Sequence, residues 1–241
     1  MLKFLAKRIL LLVPVLLLVS IISFSLFYLS PGDPAEILLT GPQGPPDPAA
    51  VEEFRQRAGF NDPAPAMYLR WLSKVIEGDL GYSYVSGGKV SNAVLDSFRP
   101  TMRLALISLV ISLLISFPLG ILSAVRQGSF VDGLGMAVSL LGVSIPNFWL
   151  AYLLIILFSL RLDILPVAGY GMGGDIEHLI LPAVTLGISA AAVTSRMIRT
   201  SMLESLEQDY IVAARARGLS ERSVVLRHAL RNALLPVITV V

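Results

Sequence analysis

The chain has 241 residues, 55% of them hydrophobic and 15% charged, with a formal net charge of +2 and a mean hydropathy of +0.75. Soluble domains carry about 25% charged residues, so a very apolar soluble core is the poorer reading, and so small a positive charge gives no reason to expect a nucleic-acid partner. There is no cysteine, which removes disulfide frameworks and thiolate metal sites.

The spacing of the charges defines the elements. Between Arg8 and Asp33 lie 24 uncharged residues, between Arg103 and Arg126 22, between Asp132 and Arg161 28, and between Glu177 and Arg196 18, with His178 counted as neutral. A helix needs roughly 20 apolar residues to cross a hydrocarbon core of about 30 Å. Each run is therefore read as a spanning element. The first starts behind Lys3, Lys7 and Arg8, as a signal peptide would, but its apolar stretch continues through Leu29. A cleaved apolar region is only about 7–15 residues long, so residues 1–30 are read as a retained transmembrane helix. It ends in Ser30-Pro31-Gly32-Asp33-Pro34, a turn.

Residues 31–99 are too polar for lipid and read as an extracytoplasmic segment. Asp47 is placed to N-cap a helix with Pro48 at its first position and Gly59 as its stop. Tyr68, Trp71, Leu72, Val75 and Ile76 repeat at helical spacing before Gly78. Such an aromatic stripe reads as packing rather than as a ligand box, and Trp and Tyr equally suit the headgroup level. A membrane core then runs from 100 to 241, its first span starting at Pro100-Thr101. In the third run, Pro146 is expected to kink or break a spanning element, since freed backbone groups find other partners there. Ser144, Pro146 and Asn147 are the candidate groups for a polar pathway. Ser189, Ala190, Ala191, Ala192, Thr194 and Ser195 suit close helix packing, with pore lining as the alternative.

Loop charges set a topology. Residues 1–8 carry +3, 30–100 carry −3, 126–132 are neutral, 161–178 carry −2 and 196–231 carry +3. Positive segments stay in the cytoplasm, which places the N-terminus, 126–132 and 196–231 inside. After Arg231 the uncharged stretch 232–241 opens a fifth span, but ten residues at 1.5 Å reach only about 15 Å. The sequence therefore reads as truncated within that span.

The cytoplasmic segment 200–231 is far longer than a connection needs. Leu203, Leu206, Tyr210, Ala213 and Ala214 recur at three- and four-residue spacing, as one apolar stripe on a short helix. Gly218 suits the left-handed residue that ends a helix, with Leu219 as the apolar residue beyond it. Ser220 is placed to cap a second helix, with Glu221 in its first turn and Val224, Val225, Ala229 and Leu230 following. A compact, basic, partly apolar elbow suits docking to a cytoplasmic partner. An amphipathic hairpin lying on anionic lipid is the other reading.

Here the sequence resembles a family. Ala213-Ala214-Arg215-Ala216-Arg217-Gly218-Leu219, followed by Leu230-Arg231-Asn232-Ala233-Leu234-Leu235-Pro236, is similar to the EAA loop of ABC-importer permeases. Gly78-Asp79-Leu80-Gly81-Tyr82-Ser83, Pro146-Asn147-Phe148-Trp149 and Leu165-Pro166 extend the likeness to the dipeptide, oligopeptide and nickel permeases, over essentially the whole chain. The resemblance implies an all-α integral membrane protein with the ABC type-1 importer permease fold, an N-terminal span and a permease core. It also implies a second similar permease subunit (as a heterodimer or homodimer), two cytoplasmic ATPases, an extracytoplasmic substrate-binding protein and surrounding membrane lipid. Leu206, Tyr210, Ala213, Ala214, Gly218 and Leu219 are then the residues expected to couple to the ATPase. Val212 stands where the family usually has Glu, which leaves no carboxylate to assign at that position. Peptides are the expected cargo, with nickel or another small solute as the alternative.

Other classes fit less well. The nearest approach to a phosphate-cradling GxxxxGK[ST] loop is at Gly88-Lys89, with Ser83 and Val90 at the positions that need Gly and Ser or Thr. ATP hydrolysis is thus expected on a separate chain, and no cofactor or catalytic site is expected here. His178 and His228 fall on opposite sides of the membrane and cannot share a metal. No Asp, Glu, Lys or Arg interrupts the four runs, which counts against an ion-coupled secondary transporter, and no paired Asp, Ser/Lys or His/Glu constellation inside them suggests a membrane-embedded enzyme.

Overall fold

A computed structural model describes residues 2–40, 44, 46–83, 87–170 and 175–239. The last two residues of the uncharged stretch 232–241 lie outside the described residues. The elements are α1 (Leu2–Tyr28), α2 (Pro34–Leu39), α3 (Pro48–Ala58), α4 (Ala64–Ile76), a two-residue hairpin β1 (Tyr82–Ser83) and β2 (Gly88–Lys89), α5 (Val90–Val125), α6 (Phe130–Ser144), α7 (Asn147–Leu154), a π-helical turn Ile155–Arg161, α8 (Ile176–Leu206), α9 (Asp209–Ala216), α10 (Glu221–Ser223), a π-helical turn Val224–Ala229 and α11 (Leu230–Val237). Among the described residues three helices are long and apolar enough to cross a membrane, four if the bent pair Phe130–Ser144 and Asn147–Arg161 is one span. They fall into two compact units, Met1–Ser97 and Phe98–Val241.

In the first unit the polar helices follow their local signals. The Asp47 carboxylate accepts the Ala49 N–H at 3.0 Å, and Gly59 ends α3 in the left-handed conformation at φ +75°. Asp33 caps α2 in the same way by accepting from Ala35, and it also takes an ion pair from Arg55 of α3. That guanidinium holds the Asp33 carboxyl below its usual range. Tyr68 of the aromatic stripe packs: its hydroxyl meets that of Ser20 at 2.8 Å, and its ring meets Phe24 edge-on at 5.4 Å. The Gly88-Lys89 pair lies in β2, paired with β1.

The helices of the later runs lie in or lead into the second unit. The helix of the second run starts ahead of Pro100: α5 begins at Val90 and runs through Pro100 and Pro118. Its 36 residues extend about 54 Å, longer than a hydrocarbon core of about 30 Å. Pro146 breaks its element, one of the two outcomes expected of it. Ile145 is extended at φ −78°, ψ 120°, as a residue before proline prefers, and α6 and α7 meet at a bend of 99°.

The core of this unit sits around α8. Without a hydrophobic drive between apolar helices in lipid, association depends on close approach and interhelical hydrogen bonds. Gly120 of α5 lies so close to α8 that a Cβ there would stand 2.7 Å from the Ser195 carbonyl oxygen, and Gly187 of α8 is as close to Ile111 of α5. On another side of α8, Gly142 of α6 faces Ala192 and the hydroxyls of Ser139 and Ser195 meet at 2.9 Å. The small residues of the fourth run that the structure buries, Ala191, Ala192, Thr194 and Ser195, thus serve packing. Contacts advance together along α5 and α8, so these two run in the same direction. Along α6 they retreat, so α6 runs against both, the alternation that consecutive crossings require.

A bulky residue at Gly120 would push against α8 backbone, which cannot rotate away. Gly120→Val should destabilise the detergent-solubilised protein by about 1–3 kcal/mol, as overpacking does. Gly133→Ala, an exposed α6 position where a Cβ meets nothing within 4 Å, should leave the melting temperature unchanged or raise it. Equal melting of wild type and Gly120→Val would show that α5 and α8 are not in this contact.

Candidate functional site

The cytoplasmic-type segment after α8 folds back on the helix it leaves. Ile198 and Met202 of α8, both fully buried, form a core with Ile211, Ala214, Val224, Val225, Ala229, Ala233 and Val237. Phe117 and Ile121 of α5 pack on its edge. The elbow is thereby an extension of α8 with a hydrophobic core of its own.

The expected single helix through Leu203, Leu206, Tyr210, Ala213 and Ala214 is interrupted. Leu203 and Leu206 belong to the last turns of α8, Glu207 caps it, and Gln208 is extended at φ −78°, ψ 149° before α9 starts. The break is held by side chains distant in sequence. Ser205 donates its hydroxyl proton to the Ala229 carbonyl at 3.0 Å. With that proton used, the Tyr210 O–H is the donor in the 2.5 Å contact between the two hydroxyls. Burial shifts accordingly: Ile211 and Ala214 face the core, while Val212 and Ala213 are exposed.

The end of α9 follows the expected chemistry. Gly218 stands at φ +76°, its N–H bonds Arg215 at 2.9 Å, and the Leu219 N–H reaches back to Ala214 at 3.4 Å. These are the two closing bonds of a Schellman motif. Ser220, by contrast, occupies the N-cap position of α10 without a side-chain capping bond. The first turn is secured instead by Glu221, which accepts from Arg215 Nε at 2.8 Å and Nη2 at 3.2 Å. That guanidinium lowers the Glu221 pKa below its ordinary value. The sign is that of a paired carboxylate: its contribution is present above the unfolded value, near 4.3, and is lost as pH falls through the lower folded one.

The expected coupling residues thus divide by location. Ala214 is fully buried, Leu206 is half-buried, and Tyr210, Ala213, Gly218 and Leu219 reach the surface. Of the candidate pathway residues, Ser144 and Pro146 are exposed at the bend, whereas Asn147 accepts a hydrogen bond from Ser189 of α8. His178 is half-buried, with its ring lying against Gly169.

Two residues of this unit escaped sequence reasoning. Arg199 of α8 donates from Nε and Nη2 to the Asp132 carboxylate of α6 at 2.6 and 2.7 Å, with side chains 20% and 7% exposed. Asp132 also accepts the Gly128 N–H at 3.0 Å, while its own N–H approaches the Ser129 hydroxyl. Ser129-x-x-Asp132 is a variant of the capping box, which a scan for helix starts could have found. Its partner 67 residues away could not be found that way.

Comparison with known proteins gives two family matches. Residues 116–241 match the family described as binding-protein-dependent transport system inner membrane component. Residues 1–105 match the N-terminal region of such membrane components. Similar curated proteins include the glutathione transport system permease protein GsiC of Escherichia coli (strain K12), of Salmonella paratyphi A and of Shigella dysenteriae serotype 1. Each is 39% identical over 239 residues, covering 99% of this chain and 76% of the relative.

Removing one hydroxyl from the Ser205–Tyr210–Ala229 junction tests how the elbow is anchored. Ser205→Ala leaves the Ala229 carbonyl without this donor and Tyr210 without its acceptor, and should cost about 1–3 kcal/mol. Tyr210→Phe removes the outer bond only and should cost about 1 kcal/mol. Thermal melting in detergent checks the order; a larger loss for Tyr210→Phe would place the main anchor elsewhere.

Proposed function

This chain belongs to the family of inner-membrane components of binding-protein-dependent transport systems, and from that premise we propose how it works: the elbow after α8 receives the movement of a separate cytoplasmic ATPase and turns it into helix displacement. It is a multi-pass membrane permease subunit of an ABC importer. On this reading it forms half of a gated pathway with a second, similar permease. Two ATPases dock on the cytoplasmic side, and an extracytoplasmic binding protein delivers the substrate.

The observation that carries this reading is the fold of the elbow. A helix lying on lipid needs its apolar stripe turned outward. Here the apolar residues Ile211, Ala214, Val224, Val225 and Ala229 are turned inward against α8. What α9 offers outward is a short surface with Val212 and Ala213 exposed, ended by the Gly218 turn. That is a shape for a protein partner, and any push on it is delivered to α8.

The pathway reading rests on the break at Ile145–Pro146. Asn147 sits opposite Ser189, near the middle of α8. Non-helical backbone at membrane depth is tolerated where it is covered by protein or lines a water-filled cavity. The bend with Ser144, Pro146 and Asn147 is therefore the place where polar groups would meet a solute. The relatives are named for glutathione transport, which favours a small peptide as cargo.

Gly218 gives the most direct test of coupling. A Cβ there meets nothing within 4 Å, so Gly218→Val acts through backbone conformation alone, at about 1–2 kcal/mol for a left-handed residue. In vesicles holding the complete transporter, this variant should insert normally yet transport less per ATP hydrolysed. Normal transport would refute the role of the turn.

Orientation is tested separately. The charge distribution puts 196–231 in the cytoplasm and 30–100 outside. As the sequence has no cysteine, Glu207→Cys should resist an impermeant thiol reagent applied to intact cells and react in inside-out vesicles. Labelling from outside would reverse the topology.

A further inference from the structure

The Asp132–Arg199 pair lies outside the elbow and outside the bend, yet it stands between them. Arg199 is flanked on α8 by Ile198 and Met202, both fully buried in the elbow core. Asp132 sits in the first turn of α6, the helix that leads to the Pro146 bend. One end of the contact thus belongs to the element that holds the elbow. The other belongs to the element that carries the candidate pathway residues.

The geometry is that of an orienting contact. Two parallel N–H···O bonds of 2.6 and 2.7 Å join the fork of Arg199 to both oxygens of Asp132, and such bidentate pairs fix direction as well as distance. The Gly128 N–H bonds the same carboxylate, so the short connection between α5 and α6 is bound into the same junction. Farther along the seam, Ser139 meets Ser195 and Asn147 meets Ser189, but these are contacts between neutral groups. The charged pair is at the end nearest the elbow, where displacement would arrive first.

We propose that Asp132 and Arg199 are positioning residues that make α6 follow α8, so that displacement of the elbow reaches the Pro146 bend. Neither residue touches the ATPase or the solute; both act by keeping two helices in register while one is pushed. Lysine at position 199 would keep the charge but lose the two parallel bonds. Asparagine at 132 would keep the shape and lose the charge. The proposal rests on the coupling reading of the elbow.

The test uses the complete transporter reconstituted in vesicles with its ATPases. Spin labels are placed at Val212→Cys on the exposed face of α9 and, separately, at Phe148→Cys, an exposed position just past the bend. In the wild-type background both labels should change environment when a non-hydrolysable ATP analogue is added. In Arg199→Lys and in Asp132→Asn the elbow label should still respond while the bend label does not. Transport per ATP should fall about tenfold, within the usual range of coupling between sites. A bend label that still responds, with transport intact, overturns the proposal and leaves the coupling reading standing. Loss of both responses in the variants overturns it as well, because the pair would then support the elbow itself. A wild-type elbow that does not respond refutes the coupling reading and this proposal with it. The asparagine variant, nearly identical in shape, keeps the test available if the lysine variant does not fold.

Discussion

Small side chains let α8 approach α5 and α6 to backbone contact, and the arrangement of the second unit depends on that approach. Lipid offers apolar helices no advantage in burying apolar surface against each other, so what holds them is fit and the polar contacts that fit permits. At Gly120 and Ser195 the fit is helix backbone against helix backbone. At Ser139 and Ser195 it allows two hydroxyls to meet, and at Asp132 and Arg199 it allows a bidentate ion pair. A larger residue at any of these positions would separate the helices and remove the polar contacts together with the packing.

The elbow extends the same body rather than forming a loose connection. Its core is built on Ile198 and Met202 of α8, and its break after Leu206 is closed by the hydroxyls of Ser205 and Tyr210. The left-handed turn at Gly218 then sets where α9 ends and where α10 begins. Together these contacts leave the outer surface of α9 free and its inner surface committed to α8. A partner pressing on α9 would therefore move a helix that is already joined to the bend at Pro146 through α6.

Elements governed by local chemistry were legible in the sequence. The Asp47 cap, the Gly59 stop, the Gly218 turn and the apolar runs all follow from a few neighbouring residues, and the structure has each of them. Elements decided by distant contacts were not. The apolar spacing runs on without a gap from Leu203 to Ala214, so nothing local marks the break that Ser205 and Ala229 impose from 24 residues apart. Pro100 was legible only as the entry to a span, and nothing local marks that the helix itself begins earlier, at Val90. Pro146 signals a break but not its angle, and the 99° bend joins two helices that each pack on α8. For the candidate site, the Gly218 turn could be named, while the division of its residues into buried Ala214 and exposed Ala213 depended on a helix register the stripe does not reveal. Asp132 and Arg199 appeared only as loop charges, for their pairing is a property of two helices lying side by side.

The claim that α9 presents its outer surface to a cytoplasmic ATPase can be measured by chemical crosslinking, since the sequence has no cysteine to interfere. A single Cys at exposed Val212, treated with a short thiol-to-amine crosslinker in inside-out vesicles of the complete transporter, should join this chain to the ATPase. A Cys at Ala214, fully buried in the elbow core, should not. Efficient crosslinking from position 214 with none from position 212 would contradict the account, because the surface meeting the ATPase would then be the one assigned to α8.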